Sequence, residues 1–121
     1  MNFAENPADG VRIAFRTTGS GPAVVLVHGT ALSQVIWRGF GYSRELADQF
    51  TVITLDLRGH GRSDKPHDRQ VYSVESMVGD VLAVLDATGT DRAHYVGYSL
   101  GGRVGRHVST SPGPGLGVRG G

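Results

Sequence analysis

The hydrophobic positions of this sequence form short aliphatic runs that alternate with stretches of helical periodicity. Residues 23–27 (AVVLV) and 51–55 (TVITL) are continuous apolar runs, which is typical of strands covered on both faces of a parallel sheet. Residues 11–17 (VRIAFRT) alternate apolar and polar side chains, which predicts a half-exposed strand near the sheet edge. Residues 93–96 (AHYV) predict a fourth strand.

Helices are predicted between these strands. Apolar residues at helical spacing indicate a helix from Val74 to Leu85, with Ser73 as its N-cap and Gly89 closing it. Residues 42–48 also predict helix. Because strands alternate with helices, we expect an α/β fold with an open, doubly wound parallel sheet. A last helix should follow the fourth strand, and its apolar stripe comprises Leu100, Val104 and Val108.

The final thirteen residues, 109–121, differ in composition from the rest. They contain five glycines and two prolines, so few side chains there can pack. Such a segment favours neither helix nor strand, and we expect a disordered tail. The predicted organisation is one domain over residues 1–108, ending after the last helix, followed by this tail.

Composition excludes several classes of function. The net charge of +1 and the aromatic content of 7% provide neither the positive field nor the stacking surface of a nucleic-acid-binding protein, and they favour no membrane partner. The absence of cysteine excludes disulfides and thiolate metal sites. The first ten residues do not resemble a signal peptide, so we expect a cytoplasmic location. No cofactor and no metal are expected.

A nucleophile elbow is predicted at Gly97-Tyr98-Ser99-Leu100-Gly101, which reads G-x-S-x-G between a strand and a helix. At such a turn the serine is exposed, and the small flanking residues let the strand and helix backbones pass close together. The Leu100 amide lies at a helix start, where unpaired N–H groups can stabilise an oxyanion. Ser99 is therefore the candidate nucleophile.

Two more motifs accompany the elbow. His28-Gly29-Thr30 follows a buried strand, and residues 56–64 (DLRGHGRSD) form a D-x-R-G-x-G-x-S loop. The elbow is the third of these motifs along the chain. With the three motifs in this order, the sequence resembles the α/β-hydrolase family over roughly residues 11–108. The resemblance implies a partial sheet of the α/β-hydrolase type that ends after the elbow helix.

The resemblance also implies roles for individual residues. Ser99 would be the nucleophile, and the amides of Leu100 and Thr30 would form the oxyanion hole. Serine at this position favours ester, lactone, amide or C–C bond hydrolysis, or perhydrolysis, over the dehalogenase and epoxide hydrolase branches, which usually carry aspartate. A small ester-type substrate is therefore implied. Trp37 and Tyr98 would line the acyl pocket. Loop support is implied for His28, Asp56, Arg58 and His60.

The acid and base of the family's triad are not identifiable. After Ser99 the sequence contains no acidic residue and one histidine, His107. His107 lies about 12 Å along the helix, too far to act as general base. His28 and His60 remain alternatives in an altered arrangement. We therefore expect an inactive amino-terminal half of a serine hydrolase, truncated or frameshifted, whose unpaired elbow strand promotes self-association.

A non-enzymatic chain is the alternative, either an inert fragment or a small-ligand-binding domain. Gly19-Ser20-Gly21 or Gly59-His60-Gly61 could cradle a phosphate, although neither completes a nucleotide-binding motif. A metal or phosphate site is the corresponding alternative for the D-x-R-G-x-G-x-S loop at residues 56–64. The spacing there favours a hydrogen-bonded loop. The residues concerned are Asp56, Arg58, His60 and Asp64.

Overall fold

The structure is a computed structural model, and it describes residues 2–29, 33–34, 36–37, 45–97, 100–108 and 115–120. Over these ranges one sheet is flanked by helices. The strands are β1 (Asn2–Glu5), β2 (Arg12–Gly19), β3 (Ala23–Val27), β4 (Thr51–Leu55), β5 (Arg92–Gly97) and β6 (Gly115–Gly120). The helices are a 3-10 helix at Arg69–Tyr72, α1 (Val74–Ala87) and α2 (Leu100–Val108).

The six strands lie in the order β1-β2-β4-β3-β5-β6. Strands β4, β3, β5 and β6 are parallel, whereas β1 and β2 run antiparallel to their neighbours. The predicted α/β fold with a parallel central sheet is confirmed. Val27 pairs in register with Leu55 on one side and Gly97 on the other. The three sequence motifs therefore leave the sheet at the same carboxyl edge.

Side chains on the two faces of the sheet form separate cores, because successive strand residues point to opposite faces. The larger core lies between the sheet and helices α1 and α2. Its central members include Ile13, Val25, Val27, Ile53, Leu55, Val81, Leu85, Tyr95 and Val104. The smaller core, on the opposite face, comprises Val24, Leu26, Trp37 and Val52.

Helix α1 matches the sequence prediction at both ends. The Ser73 hydroxyl accepts a hydrogen bond from the Ser76 amide at 3.1 Å, as an N-cap does. After the helix ends at Ala87, Gly89 adopts φ +67°, a left-handed conformation that glycine accepts without strain. Of the predicted helix at residues 42–48, Glu45 and Leu46 are helical, and residues 42–44 lie outside the described ranges.

Residues 115–120 differ from the predicted disordered tail. They form β6, which pairs with β5 from Arg92 opposite Gly115 to Gly97 opposite Gly120. A segment with few side chains that can pack is still able to form a strand, because a parallel ladder uses backbone N–H and C=O groups that glycine also provides. The predicted sheet ended after the elbow helix, with the far edge of β5 unpaired. That edge is occupied, so the outermost strand on this side is β6. Self-association stays a prediction.

Among the described helices, none combines the length and the apolar character needed to cross a bilayer.

Candidate active site

The end of β5 and the start of α2 pack closely together at the carboxyl edge of the sheet. A Cβ at Gly97 would lie 2.5 Å from the Gly101 carbonyl oxygen, so the end of β5 and the start of α2 require glycine to meet. A Cβ at Gly101 would lie 2.8 Å from the His28 carbonyl oxygen and nearer still to that of Val27. The start of α2 therefore rests directly on the end of β3. Tyr98 and Ser99 lie outside the described ranges.

Tyr95 anchors the start of α2 through a side-chain hydrogen bond. Its buried hydroxyl donates a hydrogen bond to the Gly101 carbonyl oxygen at 2.6 Å. A Cβ at Gly105 would come within 2.7 Å of the tyrosine Cδ1, so glycine one turn along the helix leaves room for the ring. Burial raises the pKa of Tyr95, which keeps the hydroxyl a neutral donor. The amide of Leu100, next to this anchored residue, is thereby held at the helix start.

His28 is fully buried and both of its ring nitrogens are engaged. Nε2 accepts a hydrogen bond from the Leu57 amide at 3.0 Å, so this nitrogen carries no proton. Nδ1 lies 2.6 Å from the Gly29 carbonyl oxygen, which can only accept, so the proton sits on Nδ1. Burial lowers the pKa of His28 and favours this neutral form. With its lone pair occupied, His28 has no acceptor for a serine proton.

Asp56 links the loop at the end of β4 to the segment that follows the His28-Gly29 pair. Its carboxylate accepts from the Gln34 amide at 2.8 Å, the Gln34 side-chain nitrogen at 3.1 Å and the Arg62 amide at 3.1 Å. Gly61, at φ +51°, lies directly beneath it, since a Cβ there would be 2.5 Å from Oδ2 of Asp56. The carboxylate is satisfied entirely by protein donors, as a structural residue is.

The Arg58 side chain lies in a buried ionic network. It makes two hydrogen bonds of 2.7 Å to the Asp80 carboxylate, one of 2.8 Å to Asp9 and one of 2.7 Å to the Val71 carbonyl oxygen. Arg58 and Asp80 are both fully buried. The hydrogen bonds from Arg58 lower the pKa of Asp9. This network joins the D-x-R-G loop, helix α1 and the turn after β1.

Sequence reasoning missed Asp9 and Asp80, because each meets Arg58 only through long-range folding. One signal was available for Asp80. It lies three residues after Met77 and four before Val84, on the buried face of α1. A carboxylate is almost never buried without a partner, so an acidic residue at this position predicts a cation opposite it.

His60 and His28 approach each other from two loops, with ring centroids 5.0 Å apart at 55°. Nδ1 of His60 lies 3.0 Å from the Arg58 carbonyl oxygen. The structure therefore brings together His28, Asp56 and His60 at the carboxyl edge, while the Arg58 side chain pairs with Asp80 and Asp9. The loop-support roles that the resemblance implied for these four residues stay predictions.

Trp37 does not match its predicted position in a substrate pocket. It is buried, with 6% of its surface exposed, in the smaller core against Val24, Leu26 and Val52. An indole of this size covers more apolar sheet surface than the neighbouring aliphatic residues, which explains its placement there. The other pocket candidate, Tyr98, and the candidate oxyanion donor Thr30 lie outside the described ranges.

The glycine-rich turns face oxygen atoms. Cβ atoms at Gly19 and Gly21 would meet the backbone carbonyls of residues 47–50, and Gly61 faces the Asp56 carboxylate. Carbonyl and carboxylate oxygens repel phosphate, so these turns do not support the nucleotide-binding alternative. In the described part of the chain, no cluster of three or more potential ligand residues could hold a metal ion.

The chain matches the family model of the alpha/beta hydrolase fold over residues 22–110. This match covers β3 through α2, including all three motifs. The chain belongs to the alpha/beta hydrolase family. Membership agrees with the strand order and with the three motifs at one edge of the sheet.

The chain is similar to proteins that include named enzymes of different activities. It is 47% identical to an uncharacterised protein of Mycobacterium tuberculosis over 96 residues, 78% of this chain and 27% of the relative. It is 37% identical to fluoroacetate dehalogenase of a Burkholderia species over 94 residues, 75% of this chain and 30% of the relative. A solved structure described as Est816, an N-acyl homoserine lactone degrading enzyme, superposes with a TM-score of 0.86 and 36% identity, covering 95% of this chain and 42% of that one. The chain thus spans less than a third of these curated relatives' length.

Proposed function

We propose that this chain carries the nucleophile of a serine hydrolase that cleaves a small ester or lactone through an acyl-enzyme. The observation that supports this most is the packing of Gly101 on the backbone of Val27 and His28. This contact brings the start of α2 beside the segment that follows β3. The start of α2, where Leu100 lies, therefore packs beside His28, which supports a site in which the Leu100 and Thr30 amides form the two halves of an oxyanion hole.

In the proposed reaction, the Ser99 hydroxyl oxygen attacks the ester carbonyl carbon and the Leu100 and Thr30 amides stabilise the resulting oxyanion. Collapse of this intermediate breaks the bond to the leaving alkoxide, which takes up the proton that the serine loses. The acyl group remains on Ser99. Water then releases it as the acid, a step that needs a general base.

The choice of ester over carbon–halogen chemistry rests on the nucleophile. Relatives of this chain include a named dehalogenase and a named lactone-degrading enzyme. Membership of the family therefore does not determine which type of bond is cleaved. Serine at position 99 favours the acyl-enzyme route. A lactone is a cyclic ester and undergoes the same attack.

We further propose that these 121 residues acylate without turning over. The sequence after Ser99 contains no acidic residue, and His107 is its one histidine. His28 has both nitrogens engaged and does not replace the missing base. The alternative is a non-enzymatic chain, in which Ser99 is an ordinary turn residue that does not react.

Burst kinetics with p-nitrophenyl acetate distinguish a chain that acylates without turnover from a non-enzymatic chain. The wild-type chain should release nitrophenol in a burst that approaches one equivalent and is followed by little steady turnover. Ser99→Ala should abolish the burst, whereas Ser20→Ala, at an exposed loop serine, should retain it. An identical time course for wild type and Ser99→Ala would refute the nucleophile and support the non-enzymatic alternative.

A further inference from the structure

The hydrogen bond from His28 to Gly29 acts on the peptide unit that carries the proposed oxyanion donor. The Nδ1–H of His28 donates to the Gly29 carbonyl oxygen at 2.6 Å. A peptide unit is planar and trans, so its C=O and N–H groups point in opposite directions. Holding the Gly29 oxygen towards the imidazole therefore restrains rotation of the peptide unit that carries this oxygen.

The imidazole itself is held by a neighbouring loop. The Leu57 amide donates to Nε2 at 3.0 Å, and Leu57 and His28 are both fully buried. This bond requires an unprotonated Nε2, which fixes the proton on Nδ1, where it reaches Gly29. The D-x-R-G loop therefore determines which tautomer faces the Gly29 carbonyl oxygen.

A second proton on the ring would break this arrangement. Nε2–H would face the Leu57 N–H at 3.0 Å, two donors in contact, so the ring or the loop must move. The charged and titratable groups that act on the ring are His60, at 5.0 Å between centroids on the loop after β4, and the Asp56 carboxylate on the same loop. The Arg58 guanidinium is paired with Asp80 and Asp9. From α2, the contact on the backbone of His28 is the uncharged Gly101.

We propose that neutral, Nδ1-protonated His28 is a positioning residue for the Gly29–Thr30 peptide, and that a second proton on His28 disables the oxyanion hole. The second half of this statement rests on the proposed function. The first half concerns only the tautomer and its two backbone partners, and it can be tested without any reaction.

NMR of the full chain tests the tautomer directly. Long-range proton–nitrogen correlation at neutral pH should show a protonated Nδ1 and an unprotonated Nε2 for His28. On lowering the pH, the Leu57 amide proton should shift with the same midpoint as the His28 ring. An Nε2-protonated tautomer, or a Leu57 amide that ignores the His28 titration, would overturn the proposal whether or not Ser99 reacts.

The pH dependence of acylation tests the consequence. The wild-type burst rate should fall about 100-fold as His28 becomes protonated, the loss expected for one oxyanion donor. His28→Gln offers a donor and an acceptor that do not titrate, so this fall should disappear. His67→Gln, the same change at an exposed loop histidine, should keep the wild-type profile.

Two outcomes separate the possible failures. If Ser99→Ala acylates like wild type, the proposed function fails and the NMR result alone decides the role of His28. If His28→Gln folds, as judged by its thermal melting, and keeps the wild-type pH profile, the positioning role is refuted. Should His28→Gln fail to fold, His28→Asn replaces it and the same comparison applies.

Discussion

At the scale of single residues, backbone carbonyl oxygens at the carboxyl edge of the sheet determine where glycine is required. Gly101 and Gly102 are neighbours at the start of α2, yet their surroundings differ. A Cβ at Gly101 would meet the carbonyl oxygens of Val27 and His28 at 2.8 Å or less, whereas one at Gly102 would meet nothing nearer than the Gly97 carbonyl oxygen at 3.6 Å. One glycine is required by packing, and the other is replaceable.

Alanine substitutions at these two positions should therefore change stability in opposite directions. Gly101→Ala should lower the free energy of unfolding by about 1–3 kcal/mol, because rigid backbone must move. Gly102→Ala should leave it unchanged or raise it by up to about 1 kcal/mol, since alanine favours helix. Urea denaturation measures both. Equal effects would show that α2 does not start on the end of β3 as described.

His28 should make the stability of the chain depend on pH. Its burial lowers its pKa in the folded state, so below about pH 6.5 the unfolded chain takes up a proton that the folded chain resists. Stability should therefore fall as the pH drops from 7.5 to about 5.5. His28→Gln should lose less stability than wild type over this range, measured by urea denaturation at both pH values. An unchanged pH dependence would mean that the folded chain protonates His28 as readily as the unfolded chain does.

At the scale of elements, Arg58 connects three parts of the chain that are distant in sequence. Its guanidinium meets Asp80 on α1, Asp9 after β1 and the Val71 carbonyl oxygen in the 3-10 helix. A buried ion pair contributes little over a well-packed apolar substitute, but removal of one partner leaves a buried charge. The network therefore favours one arrangement of these elements.

Arg58→Gln should be strongly destabilising, and Arg12→Gln is its matched control. The first change leaves the buried Asp80 without its cation and should cost about 3–5 kcal/mol. The second removes an exposed pair, Arg12–Asp64 at 3.5 Å, and should cost no more than about 1 kcal/mol. Chemical denaturation of both variants provides the comparison. Similar costs would contradict a buried network around Arg58.

Helices and strands could be predicted where their side chains follow a hydrophobic pattern. The aliphatic runs became β3 and β4, and the apolar periodicity became α1, because packing on the sheet determines both. Strand β6 was missed, since a glycine-rich strand pairs through its backbone and leaves no side-chain signal. The two carboxylates at Arg58 were missed because contacts across 49 and 22 residues have no local pattern.

At the scale of the whole molecule, the motifs of the candidate site could be located from the sequence, but its contacts could not. Each motif is next to a predicted strand, and the register of β3, β4 and β5 brings the ends of these strands to one edge of the sheet. The sequence also assigned Trp37 to a pocket from its proximity to a motif, whereas the fold uses it in the core. Proximity along the chain does not indicate which face of a sheet a side chain covers.

The proposed function requires Ser99 to be the reactive nucleophile of this chain, which spans 27% of its Mycobacterium tuberculosis relative. Peptide mapping by mass spectrometry after reaction with p-nitrophenyl acetate measures this most directly. We predict one acetyl group per chain, on Ser99. Acetylation of Lys65, the one lysine of the sequence, with Ser99 unmodified would contradict the account, as would the absence of any acetylated residue.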